Sequence, residues 1–286
     1  MSNKILIICA TGKVGVELVK LLNDKGVKVR AATRNPSSAS VKFPSYIETV
    51  EFDYEKQETF SPALKGVDKI FLMSRPGDNH SDKAAIPLID EAKKKDIRHI
   101  VNLTAFGAEK DDDFMLRKLE KYIEGSGIPY THLRPNWFMQ IFNSGFILQD
   151  IKTTGAIHLP AADAKLSFID VRDIAVTGAI VLNGTKHIGK AYTLTGGESL
   201  DHFQAAEIIS AAAKKNISYI PIGDDTARNA LIKAGAAIDQ IERWSGFYKK
   251  VREGFCAPVS DDIVSILGRA PITFKKYAID YSTSWN

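Results

Sequence analysis

The sequence predicts an α/β fold, a doubly wound parallel sheet with a smaller C-terminal α/β lobe, on three observations. Short, wholly apolar runs alternate with helical patterns through the first half, as expected of strands buried on both faces and joined by crossover helices. A loop containing two glycines, Cys9-Ala10-Thr11-Gly12-Lys13-Val14-Gly15, separates the first apolar run from the first helical pattern. After Pro135 the rhythm breaks. The chain therefore divides into a sheet-forming core over residues 1–135 and a lobe over 136–286, with some segments of the lobe returning to the core.

The elements follow in order. Residues 4–8 form the first strand. Val14, Leu18, Leu21 and Leu22 then fall on one helical face, and Gly26 stops that helix. Residues 27–33, 46–52 and 69–73 are the next three strands. A helix over 80–95 leads to a fifth strand at 99–103, and a polar helix over about 111–125 leads to a sixth at 130–133. Beyond Pro135, a segment rich in Trp, Phe and Asn runs to Gly155 and a short extended piece. Residues 170–182 read as a helix and 192–194 as a strand. Ser199 is the expected N-cap of a helix over 200–215, followed by a strand at 218–222 and one or two helices within 224–253.

Composition narrows the function. The apolar share of 44% and charged share of 25% are those of a globular chain with a sizeable core. The net charge of +4 is scattered in doublets and one triplet, Lys93-Lys94-Lys95, so nucleic acid is not the expected partner. The expected partner is a small molecule, and the oligomeric state is not legible. No apolar run reaches membrane length. Two cysteines make no disulfide framework, which points to the cytoplasm. The six histidines have no metal-ligand spacing.

The glycine loop joins a strand to a helix. The first N–H groups of that helix lack helical partners and carry a partial positive charge, which makes the loop a natural pyrophosphate site. Gly12 lets the backbone approach the phosphates, and Gly15 lets the helix pack closely on the sheet. Thr11 and Lys13 add a hydroxyl and a cation, beside Val14. Cys9 fits as a small apolar residue facing the sheet, unless its position needs a positive φ, where cysteine is strained. The second strand ends Thr33-Arg34-Asn35-Pro36, with no carboxylate for a ribose 2′-hydroxyl. Arg34 is placed to fork onto a 2′-phosphate, with help from Thr33 and Asn35, which favours NADPH over NADH. The alternative is a surface arginine in a turn. Asp53 either accepts an adenine amino group or caps the next helix. Ser74-Arg75-Pro76-Gly77 and Thr104-Ala105-Phe106-Gly107 end strands four and five, where such sheets bind ligands.

These stretches, with the run from Gly127 through Arg134-Pro135-Asn136-Trp137-Phe138-Met139 and the ending from Ser260-Asp261-Asp262 to Phe274, resemble the NmrA-like group of atypical short-chain dehydrogenases. The chain is similar to that group's triphenylmethane-dye reductases, quinone oxidoreductases and imine-reducing dehydrogenases of ergot pathways. The resemblance implies a Rossmann-type domain holding NADP(H), with Gly12, Gly15 and Arg34 on the phosphates. It also implies that Pro135, Asn136, Trp137 and Phe138 border the nicotinamide. Cys9 departs from the family's usual GATG start.

Ordinary short-chain dehydrogenases use a Tyr-x-x-x-Lys pair as proton donor, and no tyrosine here is followed four residues later by lysine. The equivalent helix offers Lys118, which either reaches the ribose or a substrate oxygen or lies on a solvated face. An acceptor that is already electron-poor, such as a quinone, an iminium ion or a dye, needs no prior protonation. Such an acceptor calls mainly for a flat apolar surface. Phe106, Trp137, Phe138, Met139 and Phe142 are the candidates for it, with core packing as the alternative. Two functions follow: an NADPH-dependent reductase of such an acceptor, or a non-catalytic NADP(H)-binding redox sensor acting on a partner protein.

Overall fold

The computed structural model describes residues 4–39, 41–75 and 80–286. In chain order the elements are β1 (Ile5–Ile7), α1 (Lys13–Asp24), β2 (Val29–Thr33), α2 (Pro36–Ala39), β3 (Glu48–Glu51), α3 (Phe60–Leu64) and β4 (Lys69–Met73). They continue with α4 (Ser81–Lys93), β5 (His99–Leu103), α5 (Met115–Glu124), β6 (Tyr130–Pro135), α6 (Gly145–Thr154), β7 (Ala156–Leu159), α7 (Val171–Asn183) and β8 (Lys190–Leu194). The remainder are α8 (His202–Ala213), β9 (Ser218–Pro221), α9 (Asp224–Lys233), α10 (Ile238–Arg252), α11 (Asp262–Leu267) and α12 (Phe274–Asp280). Two compact units result. One comprises Met1–Pro135 and Val171–Leu194, the other Asn136–Asp170 and Thr195–Asn286.

The first unit is built on a seven-stranded sheet in the order β3-β2-β1-β4-β5-β6-β8, parallel throughout. Strand order reverses between β1 and β4, the switch point at which doubly wound sheets bind ligands. Both faces are covered. On one, Leu6, Ile8, Ile70, Leu72 and Ile100 pack with Phe60, Leu88, Ile89 and Leu119 in a continuous core. On the other, Gly178 of α7 sits so close to the sheet that an added Cβ would lie 3.0 Å from Phe71.

Several sequence expectations change at their edges. The third strand begins at Glu48 rather than Tyr46, which is 70% exposed. The polar helix begins at Met115, because the Asp111 carboxylate accepts from the Asp113 N–H at 3.1 Å and holds a turn ahead of it.

The second unit holds a two-stranded parallel sheet of β7 and β9 and its own core around Phe142, Phe168, Phe274, Tyr277 and Trp285. Full burial of each such ring contributes about 1.5–3 kcal/mol. Ser199 is not the cap of α8. Asp201 accepts from the Gln204 N–H at 2.8 Å, and the Gln204 side chain accepts from the Asp201 N–H at 3.1 Å, a reciprocal cap two residues later.

His202 opens α8 wholly inside this core, with its ring 5.9 Å from Phe142, 5.7 Å from Phe168 and 5.2 Å from Tyr219. Burial holds its pKa down at about 4. The neutral ring is thus stabilised by folding, and that stability is present above pH 6.5 and lost as pH falls towards 4. His202→Phe is expected to flatten the pH dependence of stability in this window by up to about 1.4 kcal/mol per pH unit. Urea midpoints at pH 7 and pH 5 measure it. An unchanged difference between the two would mean that His202 does not titrate with unfolding.

Candidate functional site

The candidate site follows the carboxyl edge of the seven-stranded sheet. After β1 the backbone leaves the sheet while still bonded to it: Ile8 N–H donates to Phe71 O at 3.0 Å and Ala10 N–H to Ala32 O at 3.1 Å. Cys9 takes a left-handed conformation, φ 54°. The position therefore does demand the backbone that a glycine supplies freely, and a side chain there costs about 1–2 kcal/mol. The turn closes through Gly12 N–H to Cys9 O at 2.9 Å.

Gly12 is the N-cap of α1. No side chain caps that helix, and its first turn carries no acid. Its N-terminal dipole is thus not answered by a capping side chain or an acid of its own turn, as an anion-binding helix requires. Gly15 has the tighter constraint. A Cβ there would lie 2.4 Å from Cys9 O and 2.7 Å from both Ala10 Cα and Ala10 O, whereas at Gly12 the nearest atom, Cys9 O, is 3.2 Å away. The loop backbone and the first turn of α1 are therefore in direct contact, with Gly15 as the seam. The arrangement fits a pyrophosphate.

Around this loop the neighbouring strand ends supply cations. Thr33 closes β2 and is buried, and Arg34 directly after it is exposed. Thr33 Oγ1 lies 3.4 Å from the Asn35 N–H. Lys42 Nζ donates to Thr11 O at 2.6 Å. Ser74 and Arg75 follow β4, and Arg75 pairs with Glu55 at 2.7 Å. Pro76 and Gly77 lie outside the described residues. Lys13 and Val14 begin α1, with Lys13 outward and Val14 in the core. Cys9 Sγ lies 3.5 Å from Met73 O. Burial pushes its thiol up to about 11 against the pull of the Arg34 and Arg75 charges, so Cys9 is a protonated packing residue at neutral pH and not a redox thiolate.

Asp53 closes a turn: its Oδ1 accepts from the Glu55 N–H at 3.1 Å. Asp53 does not cap the next helix, whose N-cap is Lys56 with no side-chain cap bond. Tyr54 next to it is half-buried and donates to Met73 O at 3.0 Å. After β5, Thr104 and Phe106 are tied to the neighbouring strand, Thr104 N–H to Leu133 O at 2.8 Å and Phe106 N–H to Pro135 O at 2.9 Å, on either side of Ala105.

Lys118 lies on the exposed face of α5, with its Nζ 3.2 Å from Asp113. The same helix turns a different residue inward. Glu120 is fully buried and receives both prongs of Arg134, Nε at 3.0 Å and Nη2 at 2.7 Å. It also accepts from Arg117 at 2.9 Å and from the Thr104 hydroxyl at 2.8 Å. Burial pushes its carboxyl up, but the bond and charge of Arg134 and the Thr104 bond outweigh this and hold it below the usual range. Sequence reasoning missed this pair. Glu120, Glu124 and His132 bring ligand atoms within 4.8 Å of one another, but Arg117 already binds both carboxylates.

In the second unit the candidates separate. Asn136 is buried and its amide is committed internally: Nδ2 donates to Ser167 Oγ at 2.7 Å and to Cys256 O at 2.8 Å, and Oδ1 accepts from the Trp137 N–H at 2.9 Å. Phe142 is corrected outright. At 0% exposure, packed on Phe168 and Phe274, it is a core residue and offers no surface to a substrate. Met139 is buried in the same core. Trp137 and Phe138 stay half-buried, Trp137 against Trp244 and Tyr248 at 6.4 and 5.6 Å.

Comparison with known proteins agrees with this fold. The pattern of the NmrA-like family matches residues 1–278. The NAD(P)H azoreductase of Xenophilus azovorans is 28% identical over 278 residues, 96% of each chain. Among solved structures, the triphenylmethane reductase of Citrobacter sp. superposes with a TM-score of 0.83 at 24% identity, over 97% of this chain and 99% of that one. The NADPH-dependent quinone oxidoreductase of Escherichia coli, solved with NADPH, also gives 0.83 at 23% identity, over 96% and 98%. Among the described residues, no helix is long and apolar enough to cross a membrane.

Proposed function

The chain belongs to the NmrA-like family, and from that premise we propose that it is an NADPH-dependent reductase passing hydride to an electron-poor small organic acceptor of quinone, imine, iminium or dye-like type. The observation that carries the reading is the end of β2. Arg34 stands exposed there, no carboxylate accompanies it among residues 33–35, and the uncapped start of α1 follows the adjacent strand. Thr11, Gly12, Lys13, Val14 and Gly15 receive the pyrophosphate. Thr33, Arg34 and Asn35 receive the 2′-phosphate end. Asp53 faces the adenine with its second oxygen, and Ser74, Arg75, Thr104, Ala105 and Pro135 continue the edge. NADPH supplies the hydride when bound.

Azo, triphenylmethane and quinone acceptors, which give the relatives above their names, are conjugated and electron-poor. Reduction of this class does not depend on an acid acting first. That suits a chain without a Tyr-x-x-x-Lys pair and with Lys118 paired to Asp113. Lys118 retains a role at the ribose or acceptor oxygen only if NADPH draws it away from that partner. Phe106 is the aromatic candidate for the acceptor within the first unit, and half-buried Trp137 and Phe138 are those within the second.

A charge-assisted fork on the 2′-phosphate contributes about 1.5–3 kcal/mol, roughly tenfold to a hundredfold in affinity. NADPH is expected to bind more tightly than NADH by that margin. Arg34→Ala removes the difference and leaves NADH binding nearly unchanged, in paired titrations at one ionic strength. Equal affinities in the wild type, or an equal loss for both cofactors, would remove Arg34 from the phosphate. NADPH bound with this preference but not oxidised by any of a panel of quinones, iminium compounds and dyes would assign the chain to redox sensing instead.

A further inference from the structure

The second unit contains an open pocket of about 500 Å³, within the range of small-molecule sites. Its walls are largely apolar and aromatic, with Phe146, Leu159, Leu231, Trp244 and Tyr248 among them. Into this wall the fold sets an organised polar pair, His158 and Asp150. Asp150 Oδ2 lies 2.9 Å from both the backbone N and the ring Nδ1 of His158. A carboxylate only accepts, so Nδ1 carries a proton, and in the neutral ring Nε2 then faces outward as an acceptor. Among the described residues, Nε2 has no partner. A largely apolar chamber with a few placed polar groups, the His158 ring with Asp224 and the Tyr248 hydroxyl, is the composition of a ligand site and not of a packing defect.

Helix α9 supplies the second, independent observation. It presents Ala227, Ala230 and Leu231 to the cavity, yet none of its residues is buried. Ten residues are too few for a helix to hold by itself in water; such a helix needs a packed face. Here an ion pair tethers it, with Arg252 forking onto Asp224 at 2.9 and 2.8 Å. The helix packs against α10, but its cavity-facing Ala227, Ala230 and Leu231 stay short of full burial.

We infer that this cavity binds a fused aromatic molecule carrying a hydroxyl group. The hydroxyl donates to His158 Nε2, the rings lie among Phe146, Trp244 and Tyr248, and α9 packs down on the molecule and completes the burial of its cavity-facing side. The inference goes beyond the reductase reading and stands without it, since neither NADPH nor turnover enters its test.

The probes are 2-naphthol and 2-methoxynaphthalene, which share a ring system and differ in the proton that His158 would accept. Calorimetric titration of the full chain is expected to give at least tenfold tighter binding of 2-naphthol. His158→Phe should bring the two to equal affinity. Ala230→Trp, at an exposed helix position that can take the change without unfolding, fills the cavity and should abolish binding of both. Hydrogen exchange of the α9 amides should slow when 2-naphthol binds. Equal affinity of the wild type for the two probes would overturn the inference, and that comparison holds even if His158→Phe fails to fold. It is equally overturned by undiminished binding to Ala230→Trp, or by α9 exchange that 2-naphthol leaves unchanged.

Discussion

Gly15→Val is expected to lower stability by about 3 kcal/mol and to abolish NADPH binding. A Cβ at this position would lie 2.4 Å from Cys9 O and 2.7 Å from Ala10 Cα and Ala10 O. All three belong to backbone, which no rotamer change can move aside. Overpacking of this kind costs typically 1–3 kcal/mol and more where backbone must shift. The shift would separate the loop from the first turn of α1, so the N–H groups assigned to the pyrophosphate would no longer converge. Gly12→Val is the control. Its nearest neighbour, Cys9 O, is at 3.2 Å, so the fold should survive while the branched side chain occupies the approach of the phosphate. Urea unfolding and calorimetry on both variants separate the two effects. Wild-type stability in Gly15→Val would mean that the seam is not tight, and full NADPH affinity in a folded Gly12→Val would remove the loop from the cofactor.

Glu120→Ala is expected to destabilise the protein by about 3 kcal/mol, the lower end for breaking a buried ion pair, because half-buried Arg134 is left with Glu109 alone. Arg134 loses its bidentate acceptor and Arg117 loses one of three carboxylates. The native carboxyl is held below its usual range, so its contribution is present above the unfolded value of 4.5 and is lost as pH falls through the folded value. In a chain of this length the neutral-pH loss corresponds to roughly 10 °C in melting temperature. A drop worth under about 1 kcal/mol would mean that solvent already screens the pair.

The parts of the fold that were legible are those set by local patterns. Apolar runs with no alternation give buried strands, and the loop from Cys9 to Gly15 is readable because strand, glycines and helix are contiguous. Arg34 and Thr33 are legible for the same reason: they follow a strand. What distant segments decide was not legible. Glu120 lies in a run that reads as a solvated helix face, and only the register of β5 and β6 brings Thr104 and Arg134 to it. Phe142 and Trp137 are both aromatic residues in one short stretch, yet one is a core residue and the other half-buried, because only the first meets Phe168 and Phe274. Asp150 and His158 are eight residues apart, and their pairing depends on α6 turning directly into β7. The cap of α8 had a local signal, an Asp followed three residues later by Gln, which the nearer Ser199 masked.

The return of Val171–Leu194 to the first unit has a consequence for the nascent chain. When Pro135 has been synthesised, β6 has a partner on one side only. Its other edge waits for β8, which ends at Leu194, 59 residues later. At about 5–20 residues per second, that edge stays open for roughly 3–12 s on the ribosome. An unpaired strand edge is a template for pairing with another chain. The interval is filled by the synthesis of Asn136–Asp170, whose own sheet cannot form until β9 has followed. Neither unit can finish folding before the ribosome has passed into the other. A fragment ended at Pro135 would keep the β6 edge open permanently, and aggregation is its expected fate.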